Sequence, residues 1–380
     1  MATTAAPAPV SEIETTTEAP GFRSVPEFEG VRKVWPRGAR LEAIREAARA
    51  FSQRFAAGPT VEAVRTFDLA AGAYHTRFAF GGAVSVPVPY VFILNRLVVV
   101  QYRDFEGVLR TLVWEPLVPE GTAEAPYYAQ ALAKYGEFLG NKVFSKRFNT
   151  VPEALAVCGL RPEDVDYASY DHLHVQDPRW LMGTTEPVMG EAAPREPMLP
   201  KTTFISQRLE VDTFRSPHPM QWAWYVEGGL DKAKPGHHVE IEGDLELGEG
   251  VAILHTPGHT DGNQSLCVNT PTGVWVSSEN GVAIDNWQPE LSKIPGVRKE
   301  AEFFGREVIL NSNTLEDSID QYDSMVKEKT VATPSRANPR FLNVLPSSEL
   351  PRWKRHWPVW PTHLHGEIPA HGKFARSPDA

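Results

Sequence analysis

Apolar residues recur at helical spacing over Leu41–Phe55, with Leu41, Ile44, Ala48 and Phe51 on one face. Ala and Arg favour that state, and Gly58-Pro59 ends it. Past Val61 the period changes. Val84–Val91 alternates apolar residues with small ones and prolines, Val91–Tyr102 is almost continuously apolar, and Val108–Trp114 is rich in β-formers. These runs predict strands, with Arg103–Gly107 as a charged turn. A helix is predicted over Tyr127–Leu139, a short one over Pro152–Ala156, and a helical first turn at Arg161–Asp164. A strand over Val165–Tyr170 leads into Asp171-His172-Leu173-His174. Further strands are predicted at Glu240–Leu247 and Val251–Leu254. Ser265–Val268 and Val274–Ser277 flank a hairpin turn. Thr314-Leu315-Glu316-Asp317 is a capping box for a last helix with Ile319, Tyr322, Met325 and Val326 on one face.

Strands alternating with helices predict an α/β or α+β sandwich with helices outside paired sheets. No GxGxxG follows a strand, which argues against a doubly wound nucleotide fold. Met1–Pro20 is Ala, Thr, Pro and Glu with little to bury, and is expected to be disordered. It lacks the basic start and apolar core of a secretory signal, so a cytoplasmic location is expected. The domain plan is a disordered 1–20, a helical extension over 21–65, a main domain over 66–345 and a tail over 346–380.

Composition narrows the chemistry. The 380 residues carry 38 Lys plus Arg against 48 Asp plus Glu, a formal net charge of −10. Such a balance does not suit a nucleic-acid binder. Cys158 and Cys267 are isolated, which excludes a disulfide framework and a cysteine zinc knuckle, and they read as buried apolar residues. No apolar run reaches the length needed to cross a bilayer. A small-molecule substrate is the expected partner, with a homodimer left open. Neither a GxSxG nucleophile motif nor a P-loop is present.

Of twelve histidines, only His75 precedes position 172. His172 and His174 are two apart, and side chains at i and i+2 of extended chain share a side. Two imidazoles so placed can reach one metal ion. His259 follows the sharp Pro257-Gly258 turn in His255-Thr256-Pro257-Gly258-His259-Thr260-Asp261-Gly262. Alone, an HxH pair is most often two surface residues. HxH after a strand, then strand–TPGHT–strand, then a carboxylate after the next strand, is far more specific.

In these pieces, together with Trp275-Val276-Ser277-Ser278-Glu279-Asn280, the chain resembles the metallo-β-lactamase fold superfamily, from about residue 85 to 327. The resemblance implies an αββα sandwich with one or two zinc ions, sometimes iron, at one edge. It implies hydrolysis of an ester, thioester, lactone, amide or phosphoester by metal-activated water. His172, His174 and His259 match the first metal's ligands. The second site departs from the HxHxDH pattern. Gln176 and Asp177 stand where Asp and His are expected, so Asp177 is the candidate ligand or general base. Glu279 is the candidate bridging carboxylate, with Asp285 competing. Arg336 stands where the last histidine is expected and would bind an anionic substrate, unless His363 or His365 of the tail folds back.

Trp180, Trp222, Trp224, Tyr225 and Trp287 either line a substrate pocket or simply pack. Glu115, after a strand, either orients a ligand histidine or merely ends the strand. His237 and His238 are expected on the solvent side, and His218 in a structural loop. The leading expectation is a zinc hydrolase. The rivals are a mononuclear iron oxygenase acting on a thiol or persulfide through His172, His259 and Glu279, and a catalytically silent binding protein.

Overall fold

The computed structural model describes residues 21–130, 132–133, 145–188, 190–312 and 318–376. The segment expected to be disordered and the capping box at 314–317 lie outside these residues. So does most of the second half of the helix expected over 127–139; the chain is helical at 126–130 and 132–133.

Two sheets stack face to face. One contains β1 (Arg23–Ser24), β9 (Leu245–Gly248), β10 (Val251–His255), β11 (Gln264–Thr270), β12 (Gly273–Ser278) and β13 (Val344–Pro346), in the order β1-β9-β10-β11-β12-β13. The other contains β2 (Ala63–His75), β3 (Tyr90–Arg103), β4 (Leu109–Trp114), β5 (Ser145–Arg147), β6 (Tyr167–Ser169), β7 (Thr203–Gln207) and β8 (His238–Ile241), in the order β5-β2-β3-β4-β6-β7-β8. β14 (Ser348–Glu349) joins it against β3.

The near-continuous apolar run of β3 now has its cause. Val98 and Val100 point into the core between the sheets, with Ile253, Leu266, Val268 and Trp275 opposite. Leu97 and Val99 point outward, under Val151, Leu155, Val211 and Phe214. A strand covered on both faces has no polar alternation to show. β10 and β12 obey the same rule. Ala252, Leu254, Val274 and Val276 face Phe51 and Phe55 of helix α1 (Arg37–Ala57), along with Met325 and Val326 from a C-terminal helix. The architecture is the expected αββα sandwich. The α1 segment forms part of an outer layer, and the tail returns to the sheet through β14 and a bridge between His371 and Val64.

Three local expectations change. The single strand expected over Glu240–Leu247 is two, β8 and β9, in different sheets. Gly243, at φ +76°, makes the turn between them, and Asp244 ties that turn to β10 by accepting from the His255 amide at 2.9 Å. The proline-rich Val84–Pro89 is loop, and pairing starts at Tyr90, because proline cannot donate to a ladder. His238 is buried, not solvent-facing, 2.8 Å from the Ser206 hydroxyl.

Burial, with the nearby Arg215 charge, pushes His238 down to about pKa 4. An unfolded imidazole titrates near 6.5. Between about pH 6.5 and 4 the unfolded chain therefore holds a proton here that the folded chain lacks, and this group withdraws stability as pH falls through that window. Ring NMR signals of His238 are expected to remain those of the neutral imidazole at pH 5. A titration midpoint near 6.5 would contradict the buried placement.

Candidate metal centre

Two loops at one edge of the sandwich carry the histidines. β6 ends at Ser169 and delivers Asp171–His174 as irregular chain. β10 ends at His255 and delivers the Thr256–Gly262 turn. The loops are tied together where the Gln264 amide donates to Asp171 O at 2.8 Å. The glycines of the second loop are sterically required. Gly258 sits at φ +132°, and a Cβ there would lie 2.1 Å from the backbone nitrogen of Gln321 in helix α4 (Ile319–Val331). A Cβ on Gly262 would lie 2.1 Å from the Glu210 nitrogen in helix α2 (Arg208–Arg215). The second loop is therefore wedged between two helices.

This places His172, His174 and His259 together, all buried, with their ligand atoms within 4.8 Å of one another. Each ring is aimed by a neighbour. His172 Nδ1 is 2.5 Å from Asp171 Oδ1, and His259 Nδ1 is 2.9 Å from the Asn311 carbonyl. The Tyr225 ring packs edge-on to His174 at 4.6 Å. Burial, with the other two rings close by, holds His174 well below the ordinary imidazole range, and burial pushes His259 down to about 3. Both are neutral at pH 7, the form that binds metal. Three imidazole nitrogens converging with a neighbour behind each ring are a donor set fit for a zinc-like ion with an open fourth position.

Carboxylates surround the triad. Glu115 Oε1 accepts from the Asp171 amide at 2.6 Å. It thus acts on His172 one step removed, through Asp171. Burial, and then the Asp171 charge, pushes Glu115 well up, while the His172 and Ser347 contacts hold Asp171 low against its own burial. Val175, just past His174, has φ +55°, a strained conformation for a β-branched residue. Its amide donates to Trp224 O at 2.6 Å, which fixes it there.

The triad opens on a cavity of about 340 Å³. Tyr74, Tyr127, Tyr128, Ile93, Leu117 and Trp224 are among its apolar walls, and its polar lining includes Glu115, Gln176, Glu279 and Ser348 with Lys146 and Arg147 of β5. Glu279 is therefore in the cavity but outside the three-histidine cluster. Its side chain takes a long contact from Asn311 Nδ2 at 3.4 Å, and burial pushes its pKa well up.

Other expected site residues lie elsewhere. Asp177 is buried with one oxygen 2.8 Å from Arg179 Nε and the other 2.6 Å from Arg195 Nη1, so its carboxylate is engaged in an ion-pair network away from the triad. Asp285 accepts from Ser292 and from Thr362 of the tail. Arg336 is exposed and does not line the cavity. The strand after the last helix is β13, not the 331–336 stretch, so the position at the end of that strand falls to Ser347–Ser348. His363 stacks on Phe341 at 4.5 Å, and His365 Nε2 lies 2.8 Å from Leu342 O, so neither reaches the triad. Of the aromatic residues, Trp224 lines the cavity. Trp180 packs on Arg195, Trp222 is half exposed, and Trp287 is buried against Glu328. The cavity tyrosines and Glu210 had no motif to mark them in the sequence.

Stacked sheets with helices outside, and histidines gathered from a strand-end HxH and a TPGHT turn, are the αββα arrangement that the resemblance to the metallo-β-lactamase fold implies. No family model matches the chain. It is 63% identical over 158 residues to an N-acyl homoserine lactonase of a Bacillus species, a match covering 40% of this chain and 53% of that protein. It is 29% identical over 158 residues, with the same coverage, to an N-acyl homoserine lactonase of Bacillus cereus. The chain thus spans about half the length of these relatives. Among solved structures, it is similar to AidC, a dizinc quorum-quenching lactonase in complex with a product, at 10% identity and TM-score 0.47, covering 79% of this chain and 90% of that one.

Proposed function

We propose that the protein is a zinc-dependent hydrolase that opens a lactone, or a related ester, bearing an apolar substituent. The observation that carries this is the three clustered, buried imidazoles at the base of a cavity with mainly aromatic and aliphatic walls. The partial match to the two lactonases agrees with it. A metal held by His172, His174 and His259 would supply a nucleophilic hydroxide near neutral pH and polarise the carbonyl under attack. The chain's own groups do the rest. Trp224, stacked on Tyr127 at 4.3 Å, packs against the apolar part of the substrate and excludes water. Glu279, buried beside the triad, accepts or returns the proton that ring opening requires. A triad of three histidines, in place of two and a carboxylate, favours hydrolysis over iron-oxygen chemistry.

The test is metal analysis of the purified protein combined with proton-release assays on N-acyl lactones of increasing acyl length. Zinc near one equivalent or more is expected, with turnover lost on chelation, restored by zinc, and rising with acyl length. Equal turnover by the stripped protein would refute the proposal. Trp224→Ala is expected to raise KM by about ten-fold with a smaller change in kcat, because it removes binding surface and leaves the triad in place. An unchanged KM would remove Trp224 from the substrate wall.

A further inference from the structure

Helix α2 contributes one side chain to the site's underside, and the mechanism above leaves it unused. Glu210 is 2% exposed. Its Oε1 accepts from the Leu173 amide at 2.8 Å and from the Tyr225 hydroxyl at 3.2 Å, and its Oε2 accepts from the Thr260 hydroxyl at 2.5 Å. Leu173 lies between His172 and His174. Thr260 follows His259. Tyr225 is the residue packed on the His174 ring. One carboxylate is thus bonded to the chain beside all three ligands, although these come from segments up to 87 residues apart in sequence (His172 to His259).

Among the described residues its donors are an amide and two hydroxyls, none of them cationic. A buried carboxylate held only by neutral donors lacks the counter-charge that such groups ordinarily require. A divalent ion on the triad would provide it. Gly262 lets the second ligand loop pack directly on the Glu210 backbone, where a Cβ would lie 2.1 Å from its nitrogen.

We propose that Glu210 is the positioning residue of the metal centre, holding both ligand loops in register and supplying negative charge behind the bound ion. The inference rests on the metal-centre reading and does not depend on which substrate is used. Glu210→Gln is the sharpest test, since it keeps the side chain's size, its acceptor toward Leu173 and its reach to Thr260, but loses the charge. Zinc affinity is measured by competition with a chromophoric chelator, and the melting temperature of the metal-free protein is measured in parallel. The expected result is an affinity lowered about ten- to hundred-fold, the range for groups that orient metal ligands, with metal-free melting at or above that of the unaltered chain. Unchanged affinity overturns the proposal. So does an affinity loss accompanied by an equal fall in metal-free stability, which marks a merely structural role. Thr260→Val, a milder cut of the same link, is expected to lower affinity about three- to ten-fold, and it decides the matter if the Gln variant fails to fold. If the unaltered protein binds no zinc, the metal-centre reading falls and this inference with it. If it binds zinc but opens no lactone, only the substrate reading falls.

Discussion

His259→Ala is expected to lose zinc and lactone turnover together while the protein stays folded. His259 provides one of three nitrogens, and two imidazoles do not hold a catalytic ion against dilution. The fall in kcat/KM is expected to exceed about a thousand-fold, because both nucleophile generation and carbonyl polarisation depend on the same ion. The structural cost is small by comparison. The lost bond from Nδ1 to Asn311 O contributes about 1 kcal/mol, and the ring packs among polar neighbours and not in the apolar core. Circular dichroism and melting should therefore stay close to those of the metal-free parent. Substantial turnover by a variant shown to be free of metal would remove the triad from the mechanism.

Gly258→Ala is expected to damage the fold itself. At φ +132° an L side chain is strained in any surroundings, and here its Cβ would also lie 2.1 to 2.5 Å from three atoms of Gln321. Those atoms belong to the first turn of α4, which is packed on the sheet through Met325 and Val326. Neither side can yield without breaking other contacts, so a loss above about 4 kcal/mol is expected, at the extreme of single substitutions. Gly366→Ala is the control. Its φ is +77°, but no atom lies within 4 Å of the added carbon, and a cost of about 1 kcal/mol is expected. Chemical denaturation of the two variants measures the difference. Equal midpoints would mean that the TPGHT turn is not wedged as described.

The parts of the site that were legible in the sequence share one property. Their function needs a fixed residue type at a fixed local spacing. His172 and His174 must be two apart on one strand exit, and His259 must follow a Pro-Gly turn, so short-range pattern exposes them. Asp177 is read from local spacing as a ligand or base, and in the structure its carboxylate is bonded to Arg179, two residues on. Arg195, 18 residues on, also bonds it. Arg336 does not line the cavity, because the last strand begins later than the sequence suggests. α4 runs to Val331, and the chain then passes through a Pro334–Leu342 bridge before β13 starts at Val344.

By itself, then, the sequence determined the layered class of the fold, the apolar strands at its centre, and the three histidines that the structure gathers into a candidate metal site. Periodicity and local turn chemistry are encoded within a few residues. The tertiary structure alone decided that β8 and β9 belong to different sheets, that tyrosines from β2 and from the 126–130 helix wall the cavity, and that Glu210 underpins both ligand loops. Those relations join segments tens of residues apart. They arise from how layers stack and what burial forces each polar group to find, and no local pattern in the chain records that outcome.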